Sequence, residues 1–159
     1  RFPKNLSENN TIAYTPCPVI LGFDIEVNSS NPYVMPNAKN PCDKVFQISC
    51  VIIRHNQNIN DMQKILISLG NPLQEKVGMD IEITRCRTEA DLLLEFTRLI
   101  RRVKPNIIAG YNIMGFDLPY MIQRASDTYC IDEFLGMNFS IDINGHKNLI
   151  KQVKWSSSA

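Results

Sequence analysis

The hydrophobic period of this chain changes part-way along, and nothing else in the sequence restricts its fold as much. Residues 19–27 (VILGFDIEV), 45–53 and 62–69 are apolar runs of strand length, separated by polar stretches. The first is continuous enough to suit a central strand buried on both faces. Residues 28–43 (NSSNPYVMPNAKNPCD) read as a loop, and HNQNIN after the second run as the turn of a meander. Residues 81–84 read as a short fourth strand. From residue 92 the spacing becomes helical. Leu92, Leu93, Phe96, Leu99, Ile100 and Val103 share one face, Thr88 with Asp91 resembles a capping box, and Pro105 closes the segment. A short apolar strand follows at 106–111, then a helix over 117–124 with Pro119 tolerated in its first turn. Beyond Tyr129 the periodic signal fades.

Strands, a helix crossing to a parallel strand, and a second helix make an α/β chain with a mixed sheet, in β-β-β-α-β-α order. With 159 residues, 44% of them hydrophobic, the chain can bury one core. Its 17 basic and 16 acidic residues leave a net charge of +1, so any affinity for nucleic acid is local rather than global. Arg98, Arg101, Arg102 and Lys104 read as a solvated helix face that complements the helix dipole. No apolar run approaches the ~20 residues of a membrane-spanning helix, and the start has no signal-peptide core. The five cysteines (Cys17, Cys42, Cys50, Cys86, Cys130) are odd in number and form no CxxC pair. They point to free thiols in a reducing, intracellular compartment and against structural zinc. The absent initiator Met and the Ser156-Ser157-Ser158-Ala159 end read as those of an excised fragment.

Asp24 and Glu26 stand two apart on a strand, so both side chains leave one face while Ile25 points into the core. Adjacent carboxylates repel, and near a buried sheet they are costly unless a cation neutralises them. A hard cation such as Mg²⁺ prefers such oxygen ligands. Taken alone, the pair reads better as the exposed end of an edge strand, and Asp117 alone as a helix cap. Taken together, the three acids sit at the carboxyl ends of neighbouring strands, where open α/β sheets collect ligands. Three carboxylates on one crest read as a metal site.

The same residues carry a family resemblance. Phe23-Asp24-Ile25-Glu26-Val27 resembles the first exonuclease motif of family B DNA polymerases. Gly110-Tyr111-Asn112-Ile113-Met114-Gly115-Phe116-Asp117-Leu118-Pro119-Tyr120 resembles the second, close to GYNxxxFDLPY. Residues 45–49 look like the family's strand after the first motif, and 105–109 like its lead-in to the second. The likeness covers roughly residues 19–137 and is closest to delta-type polymerases and their large-DNA-virus relatives. It implies a ribonuclease H-like fold, with residues 1–18 an extended lead-in and 19–159 a 3′→5′ exonuclease domain cut short before its last strand and helix. The family's third motif is a Tyr followed four residues later by Asp. Tyr129-Cys130-Ile131-Asp132-Glu133 places Glu there and comes only twelve residues after Asp117. The third motif is therefore expected beyond Ala159, and the chain by itself is expected to be nearly inactive.

The resemblance further implies hydrolysis of a mispaired primer 3′ end by two divalent ions, Mg²⁺ or Mn²⁺, releasing nucleoside 5′-monophosphates. It makes Asp24 the bridging ligand, puts Glu26 on the ion that activates water, and Asp117 on the second. It gives single-stranded DNA as a partner, touched by the Asn112 amide and the Phe116 ring, together with the remaining polymerase domains of a parent chain. Its setting would be the nucleus if cellular, or a viral replication compartment in nucleus or cytoplasm. Tyr111 and Tyr120 are read as packing. Two alternatives stand beside this one: a degenerate exonuclease fold kept as a scaffold, and an unrelated ribonuclease H-like nuclease, which the long second motif disfavours.

Overall fold

The computed structural model describes residues 17–73 and 78–137. Strands β1 (Val19–Val27), β2 (Val45–Arg54), β3 (Gln63–Leu69) and β4 (Ile81–Cys86) precede helix α1 (Glu89–Val103). Strand β5 (Ile107–Ala109) and helices α2 (Asp117–Asp127) and α3 (Ile131–Leu135) follow. A 3₁₀ turn at Ile59–Asp61 joins β2 to β3, its first amides relieved by the Asn58 side chain, which accepts from the Asn60 N–H.

The five strands form one mixed sheet in the order β4-β3-β2-β1-β5. β1 with β2 and β2 with β3 are antiparallel, so the meander is as expected. β4 runs parallel to β3, and β5 runs parallel to β1 through Ile20↔Ile107 to Gly22↔Ala109. The fourth strand is longer than its sequence signal and β5 is shorter; among the described residues these two strands are the outermost of the sheet.

Helix α1 starts where a capping box relieves its unpaired amides. The Thr88 hydroxyl accepts from the Asp91 N–H at 3.1 Å, and the Asp91 carboxylate accepts in return from the Thr88 N–H at 3.1 Å. It ends at Lys104, whose left-handed backbone (φ 50°) lets its N–H donate to the Ile100 carbonyl before Pro105 prevents continuation. The apolar stripe Leu92, Leu93, Phe96, Leu99 and Ile100 is buried against Leu21, Phe23, Ile48, Cys50, Ile52, Ile65 and Ile67 of the sheet. Phe96 meets Phe23 with ring centroids 4.9 Å apart, and truncating such a ring to Ala costs about 3–5 kcal/mol. Met121 and Ala125 of α2 and Phe134 of α3 complete the core.

Two expectations change. β1 is not buried on both faces: Leu21, Phe23 and Ile25 are buried, whereas Ile20 and Gly22 are half-buried and Asp24 and Glu26 exposed. The apolar run at its start hid an alternation that shows only at its acidic end. Helix α3 lies in the region where periodicity fades, because five residues are too few to display a period. Arg101 and Arg102 are exposed in the last turn of α1, as a solvated basic face requires.

Candidate active site

The crest is built by β1. Asp24 and Glu26 leave its exposed face opposite Ser49 and Gln47 of β2. The pairing slips immediately afterwards, with Val27 meeting Val45, so that one residue of β2 bulges beside Glu26. Bulges of this kind re-aim side chains at sheet ends. Between the two acids, Ile25 is 6% exposed and points into the core.

The third acid arrives through a tight connection. At Gly110, just past β5, an added Cβ would stand 2.6 Å from the Phe23 carbonyl oxygen and 2.3 Å from Cγ2 of Ile113. Only glycine lets the chain pass that close to β1. Asn112 then takes a left-handed conformation (φ 51°), which asparagine tolerates. Its carbonyl accepts from the Gly115 and Phe116 N–H groups at 2.9 and 3.0 Å. The turn delivers Asp117 as the first residue of α2, with Pro119 in the first turn as expected. The N-cap residue, Phe116, makes no side-chain capping bond. Instead, Oδ1 of Asp117 accepts the Ile25 N–H at 3.2 Å, so the buried carboxylate is fastened to the peptide between Asp24 and Glu26.

Electrostatics follow from that placement. Burial pushes the Asp117 carboxyl above its ordinary value of 3.8; the Ile25 N–H and its own N–H oppose the rise, and the charge of Asp24 adds to it. A second acid within electrostatic reach of a buried one is the arrangement a cation would relieve. Among the described residues, however, no three His, Cys, Asp or Glu side chains are disposed to hold one metal ion. The donor chemistry fits a hard cation, whereas the arrangement does not close around one.

A sequence model of the DNA polymerase family B exonuclease domain matches residues 1–157. This chain belongs to that family. It is 41% identical over 144 residues to DNA polymerase 120R of Invertebrate iridescent virus 3, which covers 91% of the chain and 12% of that polymerase. It is 35% identical over 148 residues to DNA polymerase 037L of Invertebrate iridescent virus 6, covering 88% of the chain and 11% of the relative. The DNA polymerase catalytic subunit of Equine herpesvirus 2 (strain 86/87) is 36% identical over 130 residues, 80% of the chain and 12% of the relative. The chain thus spans only about an eighth of the length of the relatives it matches. The five-stranded mixed sheet with its helices accords with the ribonuclease H-like exonuclease fold.

Within this family B exonuclease domain, the predicted residues are placed as follows. Asp24 and Glu26 lie on the exposed face of β1, and Asp117 is joined to that strand by the bond its carboxylate accepts from the Ile25 N–H. Asn112 is exposed, and the Phe116 ring is half-buried with its centroid 5.3 Å from that of Tyr120. Tyr120 packs in the core, but Tyr111 does not: it is 92% exposed, contrary to its reading as a packing residue. The motif turns this ring outward, away from the apolar side taken by Ile113.

Sequence reasoning missed a buried polar cluster next to the crest. Arg124 donates from Nε and Nη2 to the two carboxylate oxygens of Glu89, at 2.9 and 2.6 Å. Its Nη1 donates to the Ala38 and Asn40 carbonyls at 3.0 and 3.1 Å. Glu89 also accepts the Val45 N–H at 2.9 Å. Asp43 accepts the Ser30 and Asn37 N–H groups at 2.7 and 2.8 Å, and the Tyr120 hydroxyl donates to the Asp43 carbonyl at 2.8 Å. The bonds that tie Arg124, Glu89 and Tyr120 to their partners span 35 to 86 residues, so no local pattern announces them. The available signal was Glu89 itself, a charge in the first turn on the apolar side of a strongly amphipathic helix.

Proposed function

We propose that this chain is the 3′→5′ exonuclease region of a larger DNA-directed DNA polymerase, removing mispaired residues from the primer 3′ end as nucleoside 5′-monophosphates. In this reading, residues 1–18 lead into the domain and residues 19–159 belong to it. The observation that carries it is the Asp117 carboxylate accepting the Ile25 N–H. That bond joins the acid of the second motif to the peptide between the two acids of the first.

Asp24, Glu26 and Asp117 are the residues that would hold Mg²⁺ or Mn²⁺, their oxygen-only donor set being suited to hard cations. Such ions, when bound, supply an activated water and stabilise charge on the departing 3′ oxygen. Asp24 and Glu26, exposed on one face, present their oxygens to the substrate side. Asp117, buried and hydrogen-bonded, is the rigid member. Asn112 would donate from its amide to the single-stranded end and Phe116 would stack against a base, with Tyr120 behind it. The partners are single-stranded primer DNA and the other domains of the polymerase, inside the cell or in a viral replication compartment. Among the described residues, no helix is long and apolar enough to cross a membrane.

The test uses the full-length polymerase carrying this domain, 5′-labelled single-stranded DNA and Mg²⁺. Stepwise shortening from the 3′ end is expected, abolished by Asp24→Ala. Unchanged degradation by that variant would overturn the assignment. The scaffold reading is favoured by the lack, among the described residues, of three acids closed around one cation. It predicts a folded full-length protein with no metal-dependent shortening at all.

A further inference from the structure

We propose that Arg124, acting through Glu89, is a positioning residue of the crest, holding the 28–43 loop and the helix that carries Asp117 in one fixed relation. The proposal rests on the exonuclease reading and deepens it. The three acids belong to two bodies. Asp24 and Glu26 lie on β1, which runs directly into the 28–43 loop, closed at its base by the Asn28 N–H donating to the Lys44 carbonyl at 2.9 Å. Asp117 opens α2, and Arg124 lies seven residues, about two turns, further along that helix. Every nitrogen of its guanidinium ties α2 to another element: Nη1 to two loop carbonyls, Nε and Nη2 to Glu89 at the start of α1. Glu89 in turn grips the first amide of β2. One turn before Arg124, Tyr120 makes a second link from α2 to the same loop through the Asp43 carbonyl.

A role in stability alone does not account for this arrangement. Arg124 is 2% and Glu89 5% exposed. The desolvation of such a pair offsets much of its attraction, and a well-packed apolar pair would serve stability equally well. What the planar fork adds is direction: donors fixed toward a carboxylate on one element and carbonyls on another. A lysine retains the charge but offers one nitrogen and cannot span both.

The test compares Arg124→Lys with Leu99→Ala, a core variant in the last turns of α1, at temperatures giving equal margins below their melting points. In the full-length polymerase, Arg124→Lys is expected to lower exonuclease kcat about 10- to 100-fold and raise the Mg²⁺ concentration for half-maximal rate. The KM for single-stranded DNA should change little, and Leu99→Ala should keep the wild-type kcat. In this chain, hydrogen exchange at the Ser30 and Asn37 amides should quicken in Arg124→Lys while Ile65 and Ile67 in β3 keep their protection. Should Arg124→Lys not fold cooperatively, Glu89→Gln, which keeps the acceptor for Val45, is expected to move both readouts the same way. Equal kcat in the lysine and Leu99 variants, or unchanged loop exchange, would overturn the positioning role. Wild-type activity that survives Asp24→Ala would instead overturn the exonuclease reading beneath it.

Discussion

Two groups of charged side chains lie close together in this molecule, and they are assembled on opposite principles. Around Glu89, Arg124 and Asp43 every charge is answered: acid faces base, and the remaining lone pairs and protons are taken by backbone groups. The Asp43 carboxyl is held below its ordinary value, first by the Asn37 N–H and then by Ser30. At the crest acid faces acid, and Asp117 is held above its ordinary value by burial, with Asp24 adding to the rise. No buried side-chain nitrogen or oxygen among the described residues lacks a partner, so the crest's imbalance is one of charge rather than of missing hydrogen bonds. Balanced charge in a core serves architecture; charge left unbalanced beside it asks for something from outside the chain.

The contrast can be broken most severely on the balanced side. Arg124→Met leaves Glu89 buried and uncompensated, so a loss of about 3–5 kcal/mol is expected in urea denaturation. A loss below about 1 kcal/mol would show the cluster to be decoration. On the other side, Asp117→Asn keeps an acceptor for the Ile25 N–H while removing the repulsion. The melting temperature should hold or rise, whereas exonuclease activity in the full-length polymerase should fall by ~100-fold or more. A smaller effect is expected of Tyr120→Phe, which orphans one buried carbonyl contact and should cost about 1 kcal/mol by thermal unfolding.

The smallest effects separate the two regions by sign. Because the folded Asp43 value lies below 3.8, its contribution is present above that pH and is lost as pH falls through the folded value. Asp117 behaves oppositely: its raised value means the folded chain holds that proton more tightly, so this acid weakens the fold as pH rises from 3.8 through its folded value. Asp43→Asn should therefore flatten the acid limb of a stability-against-pH curve, and Asp117→Asn the gentle decline above it. Curves in which both variants shift the same limb would contradict the contrast.

Much of the fold was legible because its signals are local. The capping box at Thr88 and Asp91, the stripe from Leu92 to Ile100 and the Asp-Ile-Glu alternation each declare themselves within a few residues. The acids of the crest were legible as candidates for the same reason. What escaped depends on distant partners. Nothing near Arg124 in sequence names Glu89, and nothing near Tyr111 says that its ring faces solvent while Tyr120 is buried. The half-exposed second face of β1 escaped because Val19, Ile20 and Leu21 look alike to any periodicity until the sheet gains its helices.

Gly110 gives the site an unusual genetic signature. It carries no functional group, yet any side chain there must displace the Phe23 carbonyl or Ile113. A saturation screen for lost nuclease activity would therefore score it beside the acids. The two kinds of position would part in their substitution profiles: tolerance at Gly110 should fall with the volume of the replacement and ignore its charge, whereas at Asp24 or Asp117 loss of charge alone should suffice.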